Sequence, residues 1–152
     1  MIVRTATARD IPEIVRLIRQ LAAHDRVMPP DSDALARILG VLLAGSTVYV
    51  VAEASDGKAL VGAMQLDFRL TTWEAAPYVY IEDFIVDEAH RGRGLGSAML
   101  ALAEDLALER GCVRMDLDVL QDSVDSQRFY VRHGFVDQKR LFLRRALRCR
   151  ES

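Results

Sequence analysis

The chain has 152 residues, of which 51% are hydrophobic and 28% charged, and its formal net charge at pH 7 is -2. This balance is typical of a globular protein, and the length predicts a single domain over residues 1–152. The small net charge argues against bulk nucleic-acid binding, and no apolar run approaches the roughly 20 residues that a membrane span needs. We therefore expect neither nucleic acid nor a membrane as a partner.

The N-terminus and the cysteines bear on location. The opening MIVRTATARD does not combine a positive segment with an apolar stretch, so we expect no secretory signal. The chain has two cysteines, Cys112 and Cys149, which do not form a convincing disulfide framework. Both observations favour the reducing cytoplasm.

The first half of the chain predicts one strand, two helices and three further strands. IVRT is a short strand, and Thr7 with Asp10 marks the start of a helix that ends near His24–Asp25. Asp31 or Ser32 begins a second helix, which ends at Gly45. Apolar segments at residues 47–54, 59–70 and 78–86 follow as strands. Their short links predict an antiparallel meander.

The second half predicts a long helix over residues 95–110, ended by Gly111, and a strand over 113–120 with Val113, Met115, Leu117 and Val119 on one face. A short helix over residues 123–134 and a last strand over 140–147 complete the order β-α-α-β-β-β-α-β-α-β. This order predicts a mixed α/β (α+β) fold with a central, mostly antiparallel sheet flanked by helices.

The stretch HRGRGLGS, residues 90–97, links an apolar strand to the long helix. A glycine-rich loop that leads into a helix N-terminus lets an anion contact backbone N–H groups, so we expect a phosphate-bearing ligand. The dinucleotide fingerprint fails because its third glycine would be Ser97, and the P-loop fails because the stretch has no lysine. The remaining pattern is Arg91-x-x-Gly94-x-Gly96, although a plain strand-to-helix turn is the simpler alternative.

That pattern, with YIEDFIV before it and RFYVRHGF after it, resembles the GNAT superfamily of N-acetyltransferases. The chain is most similar to the spermidine/spermine (diamine) and thialysine N-acetyltransferase branch. The resemblance implies the GNAT acyltransferase fold, acetyl-CoA as cosubstrate, no metal, and a homodimer, since relatives are commonly dimers. His24, His90 and His133 also lack metal-ligand spacing.

The resemblance implies where acetyl-CoA binds. Backbone N–H groups of the loop would hold the pyrophosphate, and the pantetheine arm would pair with the backbone of the strand before it. Ser123 takes the place of an asparagine that helps hold the coenzyme in the branch, and Ser126 matches a later serine. The expected cofactor-binding residues are Phe84, Ile85, Val86, Arg91, Gly92, Arg93, Gly94, Leu95, Gly96, Ser97, Ser123 and Ser126.

Two residues are candidates for proton transfer. Glu82, beside the thioester in the family, is the candidate base, directly or through a water, and Tyr130 matches the general-acid tyrosine. Asp83 would face the other way in a regular strand, unless a bulge of the kind found in GNAT relatives changes that parity. Without the resemblance, a solvated pair of carboxylates and an ordinary core tyrosine would explain these residues.

The acceptor-binding candidates are His24, Asp25, Trp73, Glu82 and Asp83. The three carboxylates would suit a cationic amine, and the indole of Trp73 would add cation–π attraction. We predict an acetyl-CoA-dependent N-acetyltransferase acting on a primary amine of a small molecule, such as a polyamine or an amino acid. The alternatives are a protein or peptide N-acetyltransferase and a non-catalytic acyl-CoA-binding sensor. Ser123, and the lack of the branch's tryptophan-bearing segment after Gly134, leave the identity of the amine open.

Overall fold

A computed structural model describes residues 1–147, which form two compact units, one from Met1 to Leu117 and one that begins at Asp118. The described strands are β1 (Ile2–Thr5), β2 (Val48–Glu53), β3 (Leu60–Thr71), β4 (Ala76–Val86) and β5 (Met115–Leu117). The described helices are α1 (Ile11–His24), α2 (Ser32–Ala44), α3 (Leu95–Glu109) and α4 (Val124–Arg132). All but α4 belong to the first unit.

The sheet of the first unit has the strand order β1-β2-β3-β4-β5. The first four strands pair antiparallel with their neighbours, and β5 lies parallel to β4. The short links between β2, β3 and β4 allow an antiparallel meander, whereas β1 and β2 are joined through α1 and α2. The parallel pair needs the crossover through α3. The predicted mixed sheet flanked by helices is therefore confirmed.

Local capping explains where the first two helices begin. The Asp10 carboxylate accepts a hydrogen bond from the Thr7 N–H at 2.7 Å, and one 3-10 turn then precedes α1. The Asp31 carboxylate accepts the Ala34 N–H at 3.0 Å at the start of α2. Because each carboxylate satisfies a donor that the helix itself leaves without a partner, both predicted starts are confirmed to within a few residues.

Two sets of contacts form the core of the first unit. On one face, Ile14 and Leu17 of α1 and Leu39 of α2 pack with Tyr49 and Val51 of β2. Helix α3 approaches the sheet closely at Gly62, where an added Cβ would lie 2.7 Å from Met99 Sδ. Position 62 must be glycine because a larger side chain would collide with Met99. Helices therefore pack directly on the apolar part of the sheet.

Two predicted strands differ from the structure. The strand predicted over residues 113–120 contains only Met115–Leu117, and Val113 and Val119 are exposed. Residues 140–147 form no strand. Leu141 and Leu143 are more than 80% exposed, so this apolar segment buries little and its backbone gains no ladder hydrogen bonds. Cys149 lies outside the described residues, and the single domain stays a prediction.

Candidate active site

The loop between β4 and α3 has a backbone that glycine makes possible. Gly92 and Gly94 have φ values of +74° and +77°, in the left-handed region that other residues rarely adopt. An added Cβ at either position would meet no atom within 4 Å, so the constraint is backbone conformation and not crowding. Arg91 fixes the start of the loop, because its Nε donates to the Val86 carbonyl at 2.9 Å.

The loop ends at the N-terminus of α3, where Gly94 is the capping residue. Leu95 is buried and anchors the first turn, whereas Arg91 and Arg93 are exposed. The first turn of α3 contains no acidic residue. An exposed glycine loop, two arginines and a helix N-terminus fit the anionic pyrophosphate of acetyl-CoA, because each contributes positive charge or N–H donors. The predicted pyrophosphate-binding residues, Arg91 to Ser97, thus lie together at the N-terminus of α3.

Strand β4 contains a bulge next to its carboxylates. Met64 pairs with Phe84 and Leu66 with Ile81, so two steps along β3 correspond to three steps along β4. The extra residue lies in the Glu82–Asp83 segment, opposite Gln65. A bulge was implied by the resemblance, and it changes the alternation of side chains at this point.

The bulge brings both carboxylates to one face of the sheet. The Glu82 carboxylate lies 3.4 Å from Arg69 Nη2, and the Asp83 carboxylate lies 3.5 Å from the Tyr49 hydroxyl. Gln65 is directly opposite Tyr49 and shares a strand face with Arg69, since residues four apart on a strand point the same way. The expectation from a regular strand, that Asp83 would point away from Glu82, therefore does not apply here.

Asp83 and Glu82 have different surroundings. Burial, together with the negative charges of Asp67 and Asp25, raises the pKa of Asp83 above its ordinary value. Glu82 is exposed, and its neighbour Arg69 also stacks over the Tyr80 ring, 4.2 Å from the ring centroid. The two carboxylates thus differ in exposure and in their neighbours, since Asp83 lies beside a buried hydroxyl and Glu82 beside a guanidinium.

The acceptor candidates lie in two places. Asp25 follows the end of α1 with its carboxylate 3.1 Å from His24 Nδ1, and its charge acts on Asp83. Trp73 lies in the hairpin between β3 and β4 with its side chain 94% exposed, so it does not pack on the carboxylates. The charge of Asp25 therefore reaches Asp83, which follows Glu82 on β4, whereas Trp73 lies in the hairpin with its side chain exposed.

Strands β2 and β3 contribute polar residues that the sequence analysis missed. Tyr49 donates to Gln65 Oε1 at 2.6 Å, and Gln65 Nε2 donates to both oxygens of Asp67 at 3.1 Å. Thr47 also donates to Asp67. The available signal was the spacing of Gln65 and Asp67, two polar residues on one face of a strand whose first five residues contain no polar side chain.

The second unit contains Tyr130, Ser123 and Ser126 on or next to α4. Ser123 is the capping residue of this helix, and Ser126 lies one turn before Tyr130. Burial, with the charge of Asp118, raises the pKa of Tyr130 to about 12. The Tyr130 ring makes edge contacts with Phe129 and Phe135. A phenol in this environment keeps its proton at neutral pH.

Residues 1–147 contain no group of three or more His, Cys, Asp or Glu side chains placed to hold a metal ion. None of the helices described there is long and apolar enough to cross a membrane.

The comparison with protein families is decisive for the fold and the type of reaction. The profile of the Acetyltransferase (GNAT) family matches residues 14–135. The chain belongs to the GNAT acetyltransferase family. A GNAT enzyme uses acetyl-CoA as its cosubstrate and transfers the acyl group, so the predicted fold, donor and enzyme class are confirmed.

Individual relatives agree with the branch named from the motifs. This GNAT chain is 30% identical to human spermidine/spermine N(1)-acetyltransferase-like protein 1 over 142 residues, or 89% of the chain, but spans only 20% of that protein. It is 30% identical to bovine thialysine N-epsilon-acetyltransferase, covering 90% of the chain and 85% of the relative. A crystal structure of a Trypanosoma brucei acetyltransferase matches with a TM-score of 0.78 at 25% identity, covering 96% of this chain and 99% of the other.

Proposed function

We propose that this GNAT enzyme transfers the acetyl group of acetyl-CoA to a primary amine of a small, cationic molecule. One observation carries the proposal: the negative charges of Asp25 and Asp67 both act on the Asp83 carboxylate, with Glu82 on the same sheet face. Grouped carboxylates at an accessible strand segment attract an alkyl ammonium group, which resembles a lysine side chain. The relatives named for spermidine, spermine and thialysine support this acceptor class.

The proposed roles of the chain's residues follow from their chemistry. The loop from Arg91 to Ser97 would hold the pyrophosphate, with the backbone of Phe84, Ile85 and Val86 beside the pantetheine arm. The bound cosubstrate supplies an activated thioester. A backbone N–H at the end of β4 would polarise its carbonyl, a type of interaction worth about 2.7–4 kcal/mol in other enzymes.

Proton transfer requires two further groups. An alkyl ammonium with an ordinary pKa of about 10.4 must lose a proton before its nitrogen attacks. A carboxylate of the Glu82–Asp83 pair would take that proton. Tyr130 would supply a proton to the departing thiolate, and its high pKa suits a donor that must stay protonated in the resting enzyme.

The acceptor class is tested with a panel of amines and a thiol reagent that detects released CoA. The panel contains spermidine, thialysine, lysine, glucosamine 6-phosphate and a short peptide with a free N-terminus. We expect the highest kcat/KM for a small amine with net positive charge, because the grouped carboxylates repel a phosphate. A preference for the phosphorylated sugar or the peptide would refute the proposed acceptor class.

Charge variants sharpen the assay. Asp67→Asn removes one carboxylate charge from the group, and Asp105→Asn removes the same charge from an exposed position on α3. We expect Asp67→Asn to raise KM for the cationic amine several-fold, with Asp105→Asn unchanged. Equal effects of the two variants would show that only the net charge of the protein matters, and would refute a local acidic site.

A further inference from the structure

Two arginines lie over tyrosine rings on one face of the sheet. The Arg69 guanidinium is 4.2 Å from the centroid of the Tyr80 ring, and the Arg114 guanidinium is 4.3 Å from the centroid of the Tyr78 ring. Arg69 pairs directly with Tyr78 across β3 and β4, and residues that pair directly share a face. Tyr78 and Tyr80 are two positions apart, so both rings lie on the face that also carries Glu82.

The two arginines differ in the partners of their N–H groups. Arg114 donates to Asp116 at 3.1 Å and also to Glu74, so two carboxylates of this chain already hold its guanidinium. Within residues 1–147, Arg69 donates to Glu82 alone, at 3.4 Å. That distance is longer than the about 2.7–2.9 Å of an ordinary charge-assisted hydrogen bond. Most N–H donors of the Arg69 fork are therefore left to solvent or to a ligand.

Arg69 is a cation at a place where a purely cationic acceptor would be repelled. Its side chain is 40% exposed and lies beside Glu82, a candidate for taking the proton of the acceptor ammonium. The grouped carboxylates attract one ammonium, whereas a fixed guanidinium next to them repels a second one. An acceptor that has a carboxylate as well as an ammonium satisfies both signs of charge. A planar guanidinium held on an aromatic ring suits that carboxylate, because its fork can bind both oxygens.

We propose that Arg69 is a specificity-determining residue that binds a carboxylate of the acceptor, so that the acetylated amine belongs to an amino acid and not to a polyamine. This inference rests on the proposed transfer to a small cationic amine, and it narrows the acceptor class. An amino acid with two amines and one carboxylate keeps the net positive charge that the proposed function requires.

The distance along the sheet indicates which amine of such an acceptor reacts. Met64 pairs with Phe84 and Asp67 with Tyr80, so three residue steps of β3, or roughly 10 Å, separate the level of Tyr80 from the segment expected beside the pantetheine arm. An α-amine is one carbon away from its own carboxylate and is too short for this distance. A side-chain amine several carbons away reaches further, and the hydrogen bond from its carboxylate to Arg69 adds about 2.9 Å. We therefore expect acetylation of the side-chain amine.

The reaction itself is the one already proposed. The side-chain R–NH3⁺ loses one proton, and its nitrogen bonds to the acetyl carbon as the thioester C–S bond breaks. The products are R–NH–CO–CH3, CoA–SH and one H⁺. The acceptor carboxylate takes no part in this bond exchange, so Arg69 acts through binding and orientation.

Lysine and cadaverine provide a matched test, because cadaverine is lysine without its carboxylate. We expect kcat/KM of the wild type to be roughly 10- to 150-fold higher for lysine, which is the range for one hydrogen bond between charged groups. Arg69→Met should remove most of this preference, and Arg69→Lys, which keeps the charge but not the fork, should retain part of it. Cadaverine turnover within a few-fold of the wild type shows that Arg69→Met is folded.

Arg114→Met is the matched control variant. It removes the other arginine that stacks on a tyrosine of this face, but one whose N–H groups already bind Asp116 and Glu74. Its ratio of kcat/KM for lysine over cadaverine should equal that of the wild type. A wild-type ratio near one, or an equal fall of the ratio in Arg69→Met and Arg114→Met, would overturn the role of Arg69.

The product gives a second readout. Fragmentation of acetylated lysine in a mass spectrometer should place the acetyl group on the side-chain nitrogen. Acetylation of the α-nitrogen would contradict the position assigned to the carboxylate.

The same acceptors separate this inference from the proposed function. Acetylation of cadaverine or spermidine with no preference for lysine would uphold the proposed function and refute the role of Arg69. Absence of any acetylated amine would refute the proposed function. Calorimetric titration of lysine and of cadaverine into the full chain with CoA bound then decides the role of Arg69. Tighter binding of lysine that Arg69→Met abolishes supports that role, and equal binding of the two amines refutes it.

Discussion

Replacing Gly94 with alanine tests the proposed pyrophosphate loop at its most constrained residue. Gly94 has a φ of +77° at the N-terminus of α3, and an added Cβ there would meet no atom within 4 Å. The only penalty in Gly94→Ala is therefore the left-handed backbone, about 1–2 kcal/mol for a residue with a Cβ. Because the loop is exposed, we expect it to relax away from that conformation, which turns backbone N–H groups away from the ligand.

The size of the effect follows from one lost interaction. A hydrogen bond to a charged group contributes about 1.5–3 kcal/mol. Loss of one such bond to the pyrophosphate corresponds to a Kd for acetyl-CoA that is roughly 10- to 150-fold weaker. Isothermal titration calorimetry with acetyl-CoA measures this Kd, and urea unfolding shows whether global stability falls by more than the strain itself.

Gly57 provides a matched control. It lies in the turn between β2 and β3 with a φ of +66°, and an added Cβ would also meet no atom within 4 Å. Gly57→Ala should therefore lose similar stability and leave the affinity for acetyl-CoA unchanged. The reasoning is refuted if Gly94→Ala binds acetyl-CoA like the wild type, or if Gly57→Ala weakens binding equally.

Two further predictions address the proton donor and the fold. Tyr130→Phe should lower kcat at least 100-fold in the thiol-release assay, which is the usual contribution of a general acid. Calorimetry should find the affinity for acetyl-CoA nearly unchanged. An unaltered kcat would show that Tyr130 is not the general acid. The ion pair with Arg4 lowers the pKa of Asp10 from 3.8 to about 2, so its stabilisation is full above pH 4 and is lost as the pH falls toward 2. Urea unfolding should show that the free energy of unfolding of the wild type falls by about 2 kcal/mol between pH 4 and pH 2, and that Asp10→Asn lacks this fall. Equal pH dependence of the two proteins would contradict the prediction.

The helices and long strands were predictable because their signals are local. Apolar spacing, the carboxylates of Asp10 and Asp31 and the glycine at position 45 all act within a few residues of the boundary that they define. The errors occur where a strand depends on a distant partner. The segment 140–147 has apolar residues, but no described strand pairs with it.

The candidate site was likewise predictable where its residues are close together in the sequence. The loop from Arg91 to Ser97 is contiguous, so its motif could be read directly, and the bulge at Glu82 was implied by the resemblance. The roles of Tyr130, Ser123 and Ser126 stay predictions, as do the homodimer and the cytoplasmic location. Tyr49 escaped notice because nothing near it in the sequence marks a buried tyrosine as part of a site, whereas for Gln65 the spacing to Asp67 was a signal that was not used.

The sequence by itself determined the order of the elements, the donor-binding loop and the GNAT family, because each depends on residues that are close along the chain. Only the tertiary structure decided which carboxylate has a neutral hydroxyl beside it and which has an arginine. That difference arises from strand register, which sets Tyr49 opposite Gln65, and from one extra residue in β4, which turns Asp83 toward Tyr49. Register is a long-range property, since Tyr49 and Asp83 are 34 positions apart.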